Sequence, residues 1–367
     1  MSLVLTRTQN MRANANFDKY ERRGSRYGAL DLFREQSNEV GGILSDELKE
    51  KARLSIGSVL ETSVIDYDGD IHIGHTRDVL IQDSENTSRM LQISFVTYAW
   101  GFTITPAMYM NNEVKMQRDW EAKMTKYLYK VASLLDKDAL SALELNKSQV
   151  VNNKLLYTFD PSNEEAPNAI LATFPQREDL MGDLNAIMAA NDFFGSYAIV
   201  GDAGTQSLLT KLKQSDLYNA VNKRNEYADK VIHISNNFVA DNNVYTKGYI
   251  VNRGSVGMLL RYERDCLLRT RSRDGHEWDI VKMPIIELPV GTYFYDSVGD
   301  YSGIAGAATA DMTRTRKEHY GFAFDVAFVT AYNSDAEHLA SPILAYAVDK
   351  TKDAIYAKNV LTYTPEE

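Results

Sequence analysis

The most regular pattern of apolar and polar positions lies in one continuous passage, Ile93 to Lys147. Its first part, Ile93 to Thr105, is rich in β-branched and aromatic residues and reads as strand. Apolar residues then recur at Trp120, Met124, Tyr127/Leu128, Val131, Leu134/Leu135 and Ala139, a spacing of three and four that predicts one amphipathic helix. No Pro or Gly interrupts the chain from Asn112 to Lys147. Roughly 35 helical residues make a rod of about 50 Å, against about 11–12 residues for an ordinary globular helix. A rod this long serves reach or assembly.

Ahead of it, the pattern predicts short helices over Ala29–Val40 and Asp46–Leu54, the second with Ser45 as N-cap and Glu47 and Glu50 in its first turn. Gly57 to Gln92 opens as a strand, Val59–Ile65, enters the turn composition Asp66-Tyr-Asp-Gly-Asp70, and continues with β-formers among Asp, Ser, Asn and Thr. It has few apolar residues to bury and reads as a polar hairpin projecting from the body. Behind the rod, Pro161, Pro167 and Pro175 mark a loop-rich junction over 150–175. A helix over Glu178–Asn191 follows, its apolar side made by Leu180, Leu184, Ile187 and Met188. Next come a strand (Tyr197–Val200), a turn (Gly201–Gly204) and a helix (Thr205–Lys213) with Thr205 as its cap. Between 216 and 315 the chain reads as short strands, among them Val231–Ile234, Gly248–Val251, Gly257–Leu260, Ile280–Ile286 and Thr292–Tyr295, with a small-residue loop over 299–310. The last strong pattern, Tyr320–Tyr332, is a long strand with Phe322, Phe324, Val326 and Phe328 on one face.

Composition sharpens this. A chain of 367 residues that is 44% hydrophobic buries a substantial core, in two or three lobes. The net charge of −10 excludes a protein that coats nucleic acid. Cys266 is the single cysteine, so no intrachain disulfide forms and stability rests on packing or assembly. No apolar run is long enough to cross a membrane as a helix, and the N-terminal apolar stretch is too short for a signal peptide, which points to a protein made in a cytoplasm. Residues 1–28 oppose this acidic balance: Arg7, Arg12, Lys19, Arg22, Arg23 and Arg26 stand against Asp18 and Glu21. They read as an extended basic arm that docks on an acidic neighbour, faces nucleic acid, or stays a solvated terminus.

The chemical vocabulary is sparse. Gly201-Asp-Ala-Gly-Thr205 resembles a phosphate loop, but no Lys-Ser/Thr follows the second Gly and no third Gly has dinucleotide spacing, so it reads as a structural turn. Asp66, Asp68 and Asp70 suggest a calcium loop but lack the Gly and the bidentate Glu at their required places. His72 and His75 fall on opposite faces of a strand. Arg261, Arg264, Arg269, Arg271 and Arg273 form a basic cluster diluted by Glu263 and Asp265, a pattern that favours ion pairing between subunits over nucleic-acid contact. No nucleophile elbow, CxxC, HExxH or Walker loop is present, and no cofactor is expected.

The order of parts (basic arm, short helices, projecting hairpin, strand, rod, junction, strand–turn–helix lobe, long return strand) resembles the HK97-type major capsid proteins of tailed bacteriophages. The resemblance is carried by Ile93–Thr105 leading into the helix from Asp119, by Leu180–Asn191 followed by Tyr197-Ala-Ile-Val-Gly-Asp-Ala203, and by Tyr320–Tyr332. It implies an α+β, HK97-like capsid fold: arm and short helices at 1–55, an extended loop at 56–92, a peripheral domain at 93–195 with a spine helix at about 112–147, an axial domain at 196–315, and a return strand and C-terminal segment at 316–367 completing the peripheral domain. It further implies pentamers and hexamers assembling in a host cytoplasm into an icosahedral virion shell around double-stranded DNA, held by weak non-specific contact, without enzymatic activity or membrane association. The partners implied are a separate scaffolding protein, a portal and a decoration protein. Arg22, Arg23, Arg26, Asp66, Asp68, Arg77, Arg261, Arg264, Arg269 and Arg271 are the expected intersubunit contacts. Residues 57–92 contain no Lys, so linkage through this loop is expected to be non-covalent. An encapsulin-type shell loading a cargo enzyme, and a nucleotide-dependent enzyme built on the Gly201–Thr205 turn, are the competing readings.

Overall fold

The computed structural model describes residues 2–13, 27–38, 42–55, 59–67, 86–109, 112–151, 157–159, 161, 166–218, 231–239, 243–271, 275–299, 315–331 and 340–350. In chain order the helices are α1 (Leu3–Ala13), α2 (Gly28–Gln36), α3 (Asp46–Leu54), α4 (Glu113–Leu145), α5 (Arg177–Ala190), α6 (Ala203–Tyr218) and α7 (Arg264–Leu268). The strands are β1 (Val59–Tyr67), β2 (Asn86–Ser94), β3 (Val96–Ile104), β4 (Thr158–Phe159), β5 (Ala169–Ala172), β6 (Tyr197–Gly201) and β7 (Val231–Ile234). They continue with β8 (Val244–Asn252), β9 (Val256–Arg261), β10 (Glu277–Lys282), β11 (Pro289–Gly299), β12 (Thr315–Thr330) and β13 (Ile343–Asp349).

The rod is α4, 33 residues long and started by Asn112, whose side chain accepts from the Lys115 amide. Trp120, Met124, Leu128, Val131, Leu135 and Ala139 are buried along its inner stripe, as the spacing predicts. Leu134, paired with Leu135 in the sequence pattern, is instead exposed, because the stripe turns away before it. The N-terminal half of α4 lies on a five-stranded sheet of order β10-β11-β12-β3, with β9 pairing the C-terminal part of β12. There Phe102 of β3 stacks on Tyr127 and meets Trp120 edge-on, while Phe322, Phe324 and Val326 of β12 are buried beneath.

The second sheet, β4-β5-β13-β8-β6-β7, is covered on both faces. Alternating residues explain how: Ala198, Val200, Val251, Ile343 and Ala345 face the core shared with α4, whereas Ile199, Ile250, Leu344 and Tyr346 face a second core with Leu180, Leu184 and Ile187 of α5. The long helix therefore ties two sheets into one body.

Three expectations are corrected. Residues 3–13 are not extended: α1 packs Val4 and Met11 into the main core and buries Arg7. The cap of α6 is Asp202, whose carboxylate accepts from the Thr205 amide at 2.9 Å. Thr205 is fully buried and bonds to Thr246 and Tyr346 instead. Sheet membership does not follow chain order. Strands β9 and β11 pair with β12 and β10 pairs with β11, whereas β4, β5 and β13 pair into the other sheet, so each sheet collects segments distant in sequence. The third correction is that Ile93–Thr105 is not one strand: the chain breaks at Phe95, between the end of β2 and the start of β3.

Candidate assembly surfaces

The predicted hairpin is present as an antiparallel ribbon, β1 paired with β2 in continuous register from Val59↔Ser94 to Tyr67↔Asn86. It belongs to neither large sheet, so among the described residues both outer edges of the ribbon are without strand partners. Its root is anchored: Leu60, Ile93 and Phe95 pack with Leu44, Ala52, Leu259 and Val329. Asp66 lies opposite Thr87 near the far end. Asp68, Arg77, Arg22, Arg23 and Arg26 lie outside the described residues.

The arginine cluster separates. Arg261 turns inward, its Nε and Nη2 donating to the Asp325 carboxylate at 2.8 and 2.7 Å, with its guanidinium 4.5 Å from the Phe95 ring centre. It holds β9 to β12 at the ribbon's root. Arg264 begins the short α7, Arg269 caps it in a left-handed conformation with Nε 3.5 Å from Asp279, and Arg271 follows in a bridge to Glu277. All three are exposed and remain on one corner of the surface.

Two buried polar centres escaped the pattern. Arg7 of α1 donates to Glu318 at 3.1 Å and to the Tyr320 hydroxyl at 2.8 Å. These two partners lie more than 300 residues away, so no local signal could name it. Asp136 is fully buried on α4 and receives the Leu30 amide at 3.1 Å, the Asn237 side-chain amide at 2.9 Å and the Ser235 hydroxyl. An acid on the apolar stripe between Leu135 and Ala139 was the signal available. This centre binds α2 to α4 and β7. Gly28 makes the approach possible, since a Cβ there would lie 2.6 Å from the Ile234 backbone. Burial pushes the neighbouring Asp31 carboxyl up to about 6, despite Arg34 at 2.7 Å. His233, 3.5 Å from Glu35, is held below the usual imidazole range by burial.

The turn at Gly201–Thr205 offers nothing to a phosphate. The Asp202 carboxylate already occupies the α6 N-terminus and would repel an anion, and a Cβ at Gly201 would strike Thr205. The Cys266 thiol is buried and pushed up to about 11 by burial, so it is protonated at neutral pH. Among the described residues no group of three or more His, Cys, Asp or Glu side chains is placed to hold a metal ion, and no helix is long and apolar enough to cross a membrane.

No protein-family model and no curated protein sequence matches the chain. Solved structures do resemble it in chain course. A chain from Mycobacterium phage Che8 is 10% identical, with TM-score 0.43, covering 83% of this chain and 88% of its own. The capsid structure of the cyanophage P-SCSP1u is 11% identical, with TM-score 0.43, covering 87% and 93%. The capsid of Ralstonia phage GP4 is 9% identical, with TM-score 0.42, covering 82% and 85%. At identities and TM-scores this low the likeness carries no argument about residues or assembly, which rests on the geometry of this chain.

Proposed function

We propose that this chain is a major capsid protein of HK97 type: a structural subunit that self-assembles through pentamers and hexamers into an icosahedral virion shell around double-stranded DNA. The observation that carries the reading is the β1–β2 ribbon, rooted in the body by Leu60, Ile93 and Phe95 but, among the described residues, paired with neither sheet. A two-stranded ribbon alone is marginal in water, and open strand edges are templates for another chain. Such an element gains most when laid across a neighbour, and repeating weak contacts around a capsomer multiplies them through avidity.

The rigid body suits the same role. One helix of 33 residues braces two sheets, so load on either is carried into the other. A net acidic subunit is compatible with enclosed DNA, because a closed wall confines the polymer without tight phosphate binding. In this reading the five-stranded sheet and α4 form the peripheral part and the six-stranded sheet the axial part. Linkage between copies is non-covalent, and a scaffolding protein, a portal and a decoration protein are its partners.

Sedimentation of the purified chain tests the proposal. Species of five or six copies and larger are expected. A single monomeric boundary at high concentration, with or without a co-expressed scaffold, contradicts it.

A further inference from the structure

Between the C-terminal half of α4 and the facing side of the six-stranded sheet lies a cavity of about 530 Å³. Small residues leave it open. Ala345 of β13 stands in register between Ala169 of β5 and Tyr249 of β8, so two alanines lie side by side in its floor. Elsewhere on that face Val200, Val251 and Ile343 fill the core shared with α4. Hollows of about 300–1,000 Å³ are the size that holds a small organic ligand.

The helix side of the cavity is a single stripe: Lys137, Leu140, Ser141 and Glu144 recur at three and four residues. Leu140, Phe238 and Val239 supply an apolar wall, and Val239 is 78% exposed at the cavity's mouth.

The charges of the lining do not balance. Glu144 is answered from within: Lys147 Nζ donates to its Oε1 at 2.5 Å and the Tyr249 hydroxyl donates to its Oε2 at 2.5 Å. Burial holds the Tyr249 phenol well above its ordinary range, so it stays a donor. The Lys147 side chain is only 6% exposed. Its ammonium has three N–H donors, of which Glu144 and the Pro167 carbonyl take two, and the third has no acceptor among the described residues. Lys137 on α4 and Lys247 on β8 complete the cationic side, and neither side chain has a partner among the described residues. Three ammonium groups thus face one carboxylate. A neutral hydrocarbon would leave these donors unmet, and a fully polar anion would leave the apolar wall wet.

We infer that this cavity binds an amphipathic organic anion, a carboxylate or phosphate head on a hydrocarbon body, with the head held by Lys137 and Lys247 and the body along Leu140, Phe238 and Val239. The site lies within one subunit and does not depend on the capsid reading. A bound molecule ties α4 to β8 and β13 and stabilises the folded subunit by mass action.

Thermal unfolding of the full chain with decanoate, decyl phosphate, decanol or inorganic phosphate, each below its aggregation concentration, tests it. Decanoate or decyl phosphate should raise the midpoint saturably, the better of the two naming the head group, whereas decanol and inorganic phosphate should not. In Lys137→Glu/Lys247→Glu, whose lysines have no partner to lose, affinity for the better amphiphile should fall at least about tenfold. Ala345→Leu, which fills the hollow, should abolish the shift by a second route. No shift with either anion, as expected where another chain occupies the cavity, overturns the inference. An equal effect of decanol, or wild-type affinity in both variants, overturns it too. A chain that stays monomeric yet binds the amphiphile contradicts the capsid reading alone.

Discussion

Arg7 on α1 and Glu318 on β12 form an ion pair at 3.1 Å with side chains only 5% and 4% exposed. The Tyr320 hydroxyl completes the group, donating to Glu318 at 2.6 Å and accepting from Arg7. Burial raises the Tyr320 phenol well above its ordinary range, so it stays a donor at all working pH values. The N-terminal helix is thus a structural part of its own subunit.

Removing one partner strands a buried charge. Arg7→Met should destabilise the subunit by about 3–5 kcal/mol, because the buried Glu318 carboxylate then lacks its guanidinium counter-charge. Combining it with Glu318→Gln should recover part of the loss. Urea unfolding of the wild type and both variants checks this. Deleting residues 1–13 should likewise impair folding, since Val4 and Met11 leave the core with Arg7.

Asp136 should behave as a junction. Asp136→Ala leaves the Leu30 amide and the Ser235 hydroxyl without their acceptor, each a buried group costing about 1–3 kcal/mol. Loosening should concentrate where α2 meets α4, so hydrogen exchange should quicken over residues 28–36 well before it does over β11. Uniform acceleration throughout the subunit would count against a local junction.

Asp31 gives this junction a pH dependence of known sign. Its folded value of about 6 lies above the ordinary 3.8, so the folded state holds the proton more tightly. The stability it contributes is present below about pH 4 and is lost as pH rises through about 6, on the order of 3 kcal/mol. Denaturation midpoints of wild type and Asp31→Asn, compared from pH 4 to 7, should show the wild type losing ground to the variant as pH rises. A difference independent of pH, or of opposite slope, would refute the assignment. His233 acts in the opposite sense and is common to both proteins.

The arginines should divide as the structure divides them. Arg261→Ala leaves Asp325 without its guanidinium at the ribbon's root and should cost about 2–3 kcal/mol of subunit stability. Arg264→Ala and Arg269→Ala should change stability by no more than about 0.5 kcal/mol. Any effect of these two should be seen in assembly, measured by light scattering.

Local rules were legible where the chain decides its own conformation. The period of α4, the Ser45 cap of α3 and the Phe322–Phe324–Val326 face of β12 all follow from neighbours within a few residues. What stayed hidden depends on distant partners. Arg261 looked like part of a surface cluster because Asp325 lies 64 residues away. Sheet membership of β10 and β11 was equally silent, since the pairing of β11 to β12, and through it the place of β10, is fixed only when the chain closes. The five-residue α7 was too short for any periodicity to reveal. For the assembly surfaces, the hairpin's existence was readable from its polarity, whereas its anchoring was not, because Leu259 and Val329 lie far along the chain from Leu60.

Negative-stain microscopy of the purified chain, expressed alone and with a scaffolding protein, addresses the shell role most directly. Closed particles of uniform diameter, with capsomers of five and six subunits, are predicted. Dispersed monomers under both conditions, with no capsomers, tubes or shells at high concentration, would contradict it.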